Sequence, residues 1–125
     1  MDSTTPIACG SIVIREAPEA GGSDWMVFYL PLGALGEIRP VGGYPFDGAD
    51  HDGWRVPLDS WLADLGRAIW KSIPFDLGLI GFEASGELRA AQVLMSDVPE
   101  TCHFGLLVPG AEGTLNYHPR TERDW

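Results

Sequence analysis

Positive charge is the scarcest property of this chain. Lysine and arginine together number 8 among its 125 residues, against 18 acids, and the formal net charge is −10. Charged residues make up about a quarter of an average domain, which corresponds to about 15 or 16 residues of each sign in a chain of this length. The number of acids is therefore only slightly above average, whereas the number of bases is well below it. Because neutralising phosphates requires clustered Lys and Arg, this deficit excludes nucleic-acid binding through a basic patch.

Cysteine and long apolar runs are scarce as well. The two cysteines, Cys9 and Cys102, share no metal-ligand or redox spacing, so we expect free, buried thiols. No apolar run approaches the roughly 18 to 20 residues of a membrane span, and residues 1–6 lack the basic and apolar regions of a signal peptide. We therefore expect a cytoplasmic protein with no membrane partner. The excess of arginine over lysine is typical of GC-rich bacterial genomes.

Hydrophobic residues, at 45% of the chain, are present in the amount that a packed core needs. A chain of this length usually forms one domain and folds without a metal or a disulfide, so we predict a single domain over 1–125. The 16 glycines and 10 prolines predict many turns and short elements.

Short β-branched and aromatic runs predict about five strands. They cover residues 11–16, 25–30, 77–82, 104–108 and 114–118. The first two should form a hairpin, and the second should be central because both of its faces are apolar. Glycines and prolines interrupt every periodicity over 33–56, which predicts a long loop.

One amphipathic helix is predicted over 57–73. Its apolar positions follow the i, i+3, i+4, i+7 rule and should pack on the sheet: Leu58, Trp61, Leu62, Leu65, Ile69 and Ile73. Pro57 suits the first turn of this helix, and Asp59 and Asp64 should face water. The fold class is α+β, with a mainly antiparallel sheet and the helix on one face.

Acids crowd the predicted loop at Asp47, Asp50 and Asp52, beside His51. Aligned with the calcium-binding loop, this segment has Gly48 at the first ligand position and Asp59 in place of the usual glutamate at the twelfth. The pattern fails, so we expect no metal, no cofactor and a solvated acidic turn.

Catalytic patterns fail in the same way. Cys102 and His103 are adjacent and would point to opposite faces of a strand, and the sequence around Ser85 does not fit a nucleophile elbow. Glu83, after a buried strand, and Tyr117 could instead provide polar groups to a pocket between the sheet and the long loop. The chain is therefore expected to be a non-enzymatic binding protein, with a small-molecule-binding domain as the alternative.

The strongest binding pattern combines acids with aromatics between residues 44 and 65. This predicted partner-binding surface consists of Tyr44, Phe46, Asp47, Asp50, His51, Asp52, Trp54, Asp59 and Asp64. It holds five acids and one base, Arg55, and it would steer a basic protein partner at a rate that falls as salt rises. The alternative is that the aromatics fold back over their own core.

In size, acidity, α+β pattern and lack of a catalytic set, the chain resembles small acidic inhibitors. These include immunity proteins that neutralise bacterial toxins and phage-encoded inhibitors of host defence. The resemblance implies that the partner is a toxin, a nuclease or a defence protein. It includes no motif, so it implies no role for any single residue.

Overall fold

The computed structural model describes residues 6–17, 24–38, 51–82, 84, 88, 90, 93 and 98–122. The chain divides into two compact units, Met1–Trp54 and Arg55–Trp125. Its five described strands and one long helix make it an α+β protein. Within the described residues the strands form a two-stranded and a three-stranded antiparallel sheet, so the single five-stranded sheet that we predicted is not confirmed. That residues 1–125 form a single domain stays a prediction.

The first unit contains the predicted hairpin. Strand β1 (Gly10–Arg15) pairs antiparallel with β2 (Asp24–Tyr29), with Val13 opposite Met26. The prediction of a central second strand is wrong for the described residues, where β2 pairs with β1 alone. An apolar pattern on both faces was the basis of that prediction, yet Met26 and Tyr29 are exposed.

The long loop predicted over 33–56 is shorter at both ends. Helix α1 (Leu32–Leu35) is one turn long and buries Leu35 to 2% exposure, with the backbone N–H of Leu35 donating to the Pro31 carbonyl at 3.0 Å. The long helix α2 (Asp52–Ser72) already includes residues 52–56. Residues 39–50, the middle of the predicted loop, lie outside the described residues.

Helix α2 begins at Asp52, five residues before the predicted start, so that Pro57 lies inside it. Proline usually marks a first turn because it lacks an N–H and crowds the carbonyl four residues earlier. Here the residue four positions earlier is Gly53, which is exposed. A helix start cannot therefore be read from the proline alone.

The second unit contains the three-stranded sheet, in the order β3 (Gly78–Ile80), β4 (Gly105–Pro109), β5 (Leu115–His118). Its core combines Ala63 of α2 with Ile80, Leu107 and Leu115 of the sheet. A Cβ at Gly66 would overlap Leu107 Cδ1, so this glycine is what lets the leucine approach the helix. The predicted packing of the helix on the sheet is confirmed for this sheet.

The buried face of α2 is rotated from the predicted one. Leu58 is buried and Leu62 packs against the core as expected, but Trp61 is 40% exposed, and Ile73, which follows the last residue of α2, is 59% exposed. The positions buried in addition to Leu58 are Arg55, Asp59 and Ala63, together with Trp54 in the first turn. The expectation that Asp59 faces water is therefore wrong. Among the described residues, no helix combines the length and apolar character that a membrane crossing requires.

Candidate functional site

The first turn of α2 is closed by a contact between His51 and Trp54. The indole Nε1–H of Trp54 donates to His51 Nδ1 at 2.9 Å, and the Trp54 backbone N–H donates to the His51 carbonyl at 3.2 Å. The two rings meet edge to face, with centroids 5.7 Å apart. Because Trp54 is only 7% exposed and its polar atom already has a partner, its indole is a structural group of this turn.

A buried ion pair lies two turns further along α2. The carboxylate Oδ2 of Asp59 is 3.6 Å from the guanidinium Nε of Arg120, and the two side chains are 11% and 7% exposed. Arg120 comes from the segment that follows β5, so this pair joins the helix to the end of the chain. Burying a charge is costly unless it is paired, so the contact with Arg120 is what makes the burial of the Asp59 carboxylate tolerable.

Tyr117 lies beside this pair on β5. Its burial raises the pKa of the phenol, and the negative charge of Asp59 raises it further, while the charges of Arg120 and Arg67 act in the opposite direction. A phenol, a carboxylate and a guanidinium thus lie close enough within the second unit to interact electrostatically. At neutral pH the phenol keeps its proton and serves as a hydrogen-bonding group.

Two arginines of α2, Arg55 and Arg67, also make contacts within the second unit. Arg67 donates through Nε to the Leu115 carbonyl at 3.3 Å and through Nη1 to Asp64 Oδ1 at 3.2 Å. The guanidinium carbon of Arg55 lies 4.8 Å from the ring centroid of Phe82, in a cation–π contact, and the residue is 3% exposed. Three of the few bases in this chain thus make contacts within the second unit, and one of them, Arg67, pairs with a surface acid.

The outer face of α2 combines exposed apolar, acidic and basic groups, the bases being Arg67 and Lys71. Val56 and Trp61 are 54% and 40% exposed, and the Asp64 side chain is 76% exposed. Trp61 and Asp64 are three residues apart, so they are neighbours on the helix surface. We call Val56, Trp61 and Asp64 the α2 outer face. It offers an aromatic anchor, an exposed aliphatic side chain and an acid, a composition that is typical of interfaces.

The predicted partner-binding residues have separate locations. Asp64 lies on the α2 outer face, Asp52 begins the helix, and His51 and Trp54 bond to each other. Asp59 is buried against Arg120. The remaining four, Tyr44, Phe46, Asp47 and Asp50, lie outside the described residues, as does Glu83 of the alternative pocket.

Sequence reasoning missed Trp61 as a surface group and Arg120 as the buried partner of Asp59. The i, i+3, i+4 spacing assigned Trp61 to the core, and no pattern in the sequence linked Arg120 to the helix. One local signal for the placement of Asp59 was available: Arg55 precedes it by four residues and therefore lies on the same face of the helix.

No group of three or more His, Cys, Asp or Glu in the described part of the chain is arranged to hold a metal ion. Comparison of the chain with protein-family models, curated proteins and solved structures found no match.

Proposed function

We propose that this protein is a non-enzymatic binding protein of the inhibitor type, and that it engages a basic protein partner. The observation that carries the proposal is the α2 outer face, where the exposed indole of Trp61 adjoins the exposed carboxylate of Asp64. An aromatic anchor rimmed by charge is the arrangement that protein interfaces use. The partner would be a toxin, a nuclease or a defence protein.

The charge of the whole chain supports a basic partner. A net charge of −10 on 125 residues creates a field that speeds encounter with a positively charged protein. Asp64 is held only by an exposed pair with Arg67, and such surface pairs contribute below about 1 kcal/mol. A lysine or arginine of a partner can therefore replace Arg67 at little cost.

The test begins with capture of a partner on the immobilised chain and continues with the purified partner. Trp61→Ala should speed dissociation and cost about 2 kcal/mol or more of affinity, with little dependence on salt. Asp64→Asn should mainly slow association, and its effect should shrink at high salt because screening removes the attraction at long range.

Two matched variants control for nonspecific effects. Met26→Ala removes an apolar side chain of similar exposure, and Glu112→Gln removes one exposed charge; neither residue belongs to the α2 outer face. The controls should leave affinity unchanged. An affinity that both test variants leave unchanged would place the interface elsewhere, and a partner bound more tightly at high salt would contradict the electrostatic part of the proposal.

A small-molecule-binding domain is the second candidate. It is favoured by the convergence of Tyr117, Asp59 and Arg120, which together provide a donor, an anion and a cation in partly buried surroundings. A metabolite that raises the melting temperature of the wild type but not of Tyr117→Phe would support this candidate. A screen whose hits stabilise both proteins equally would count against it.

A further inference from the structure

The hairpin of the first unit has an unusually exposed edge strand. Every residue of β1 from Ser11 to Arg15 is exposed, including Ile12 at 50%, Val13 at 70% and Ile14 at 42%. Among the described strands, β1 is hydrogen-bonded to β2 alone. A two-stranded sheet is marginally stable in water, and an exposed apolar edge strand is a template for pairing with another strand.

The protections that usually guard such an edge are missing from β1. Proline, lysine and inward-pointing charge keep natural edge strands apart, yet residues 10–14 include none of them. The charges at the far end of the hairpin are engaged inside it. Arg15 pairs with Asp24 at 3.5 Å, and Glu16 accepts a hydrogen bond from Trp25 Nε1 at 3.2 Å. The edge is therefore neutral in a chain that is strongly acidic.

We propose that β1 is a self-association edge that pairs antiparallel with β1 of a second copy of this chain. A twofold axis through Val13 gives a register in which Val13 faces its own copy and Ile12 faces Ile14 of the other chain. Arg15 then lies opposite Ser11 of that chain, so no like charges meet. The result is a four-stranded sheet in the order β2-β1-β1-β2, which exceeds the two strands that are marginal alone.

The neutral edge distinguishes a second copy from the basic partner of the proposed function. A basic protein would find no acid along residues 10–14, whereas a second β1 matches it with apolar side chains on both faces. The strong exposure of β1 also makes it a better candidate than β2 for the associating strand, because Trp25, Val27 and Phe28 of β2 are already half-buried. This inference is independent of the α2 outer face.

The strength of the pairing follows from area and charge. A standard interface covers about 800 Å² per partner, and a six-residue edge supplies less, so the dimer should be weak. Two chains of net charge −10 also repel each other. Because salt screens that repulsion, self-association should strengthen as ionic strength rises, the opposite of what is expected for a basic partner.

Sedimentation of the full chain over a range of protein and salt concentrations measures this equilibrium. Val13→Lys places two like charges opposite each other at the twofold axis and should abolish the dimer. Met26→Lys is its matched control. It adds the same charge cross-strand from Val13, one strand away from the edge, and should leave most of the dimer intact. Circular dichroism checks that both variants keep the fold of the wild type.

A cross-link tests the register directly. In a background with Cys9→Ser and Cys102→Ser, Val13→Cys should form a disulfide-linked dimer, since facing Cα atoms in an antiparallel pair are about 4.5 to 5.5 Å apart. Ser11→Cys is the control, because the two copies of Ser11 would be about 13 Å apart along the strands. Much stronger cross-linking at Val13, together with a dimer that grows with salt, supports the proposal.

Three results would overturn it. The first is a monomer at every concentration and salt level, without cross-linking at position 13. The second is a dimer that Val13→Lys leaves intact or that cross-links equally at Ser11. The third is a monomeric chain that instead sediments with phospholipid vesicles, since that result would make a lipid surface the occupant of the edge.

Discussion

Breaking the buried pair between Asp59 and Arg120 should destabilise the second unit strongly. At the observed 3.6 Å between Nε and Oδ2, and an effective dielectric constant of 20, the attraction is about 5 kcal/mol before desolvation is counted. Arg120→Met leaves a carboxylate that is only 11% exposed without this partner. We expect the free energy of unfolding to fall by about 3 to 5 kcal/mol.

Urea unfolding followed by circular dichroism measures this loss. The surface pair between Asp64 and Arg67 is a matched control on the same helix, with side chains 76% and 43% exposed. Asp64→Asn should cost less than about 1 kcal/mol. The double variant Asp59→Leu with Arg120→Met removes both charges and should be more stable than Arg120→Met alone. A loss below about 1 kcal/mol for Arg120→Met would show that the pair is solvated and would refute this reasoning.

Tyr117 gives a second, spectroscopic measure of the same pair. Asp59 raises the pKa of this phenol and Arg120 lowers it, so Asp59→Asn should lower the pKa and Arg120→Met should raise it. Tyrosinate absorbance detects the shift, and Tyr117→Phe identifies its share of the signal among three tyrosines. A pKa that is raised on folding gives stability that is lost as pH rises above the unfolded value of 10.0. The wild type should therefore lose more stability in strong alkali than Tyr117→Phe does.

Two further predictions concern backbone positions, and both are checked by thermal or urea unfolding. Gly66→Ala should destabilise by about 1 to 2 kcal/mol, because its Cβ would overlap Leu107, whereas Gly53→Ala in the same helix meets open space and should stabilise by up to about 1 kcal/mol. Equal effects at the two glycines would contradict the close approach of helix and sheet. Glu112, which adopts φ 60°, should be replaceable by glycine with a gain of about 0.5 to 1 kcal/mol; a loss would mean that its side chain makes a stabilising contact.

Local patterns predicted the elements well. Each predicted strand overlaps an observed one, because β-branched and aromatic runs determine extended structure over a few residues. The hairpin of β1 and β2 was predictable because neighbouring strands usually pair. The division of five strands into two sheets was not, since the side on which a strand finds its next partner depends on distant parts of the chain.

The orientation of α2 shows why the candidate site was harder to predict. By hydropathy alone, the apolar stripe that contains Trp61 and Ile73 predicts the buried face. The actual face includes Asp59, whose burial depends on Arg120, sixty-one residues further along the chain. It also includes Ala63, which is 1% exposed and whose small side chain carries little weight in an apolar pattern. A distant charge partner and close packing thus outweighed the periodicity.

This rotation changes the electrostatics of the proposed interface. With Asp59 paired inside the second unit, the helix offers a basic partner fewer acids than the sequence count implied, so long-range attraction must come mainly from the net charge of −10. That same net charge opposes the pairing of two β1 edges. Ionic strength should therefore move the two proposed associations in opposite directions: low salt favours a monomer that captures a basic partner, and high salt favours the dimer. Asp64→Asn should weaken the first association without removing the dimer, whereas Val13→Lys should abolish the dimer and weaken capture of the partner only slightly, so measuring both variants against salt separates the two proposals.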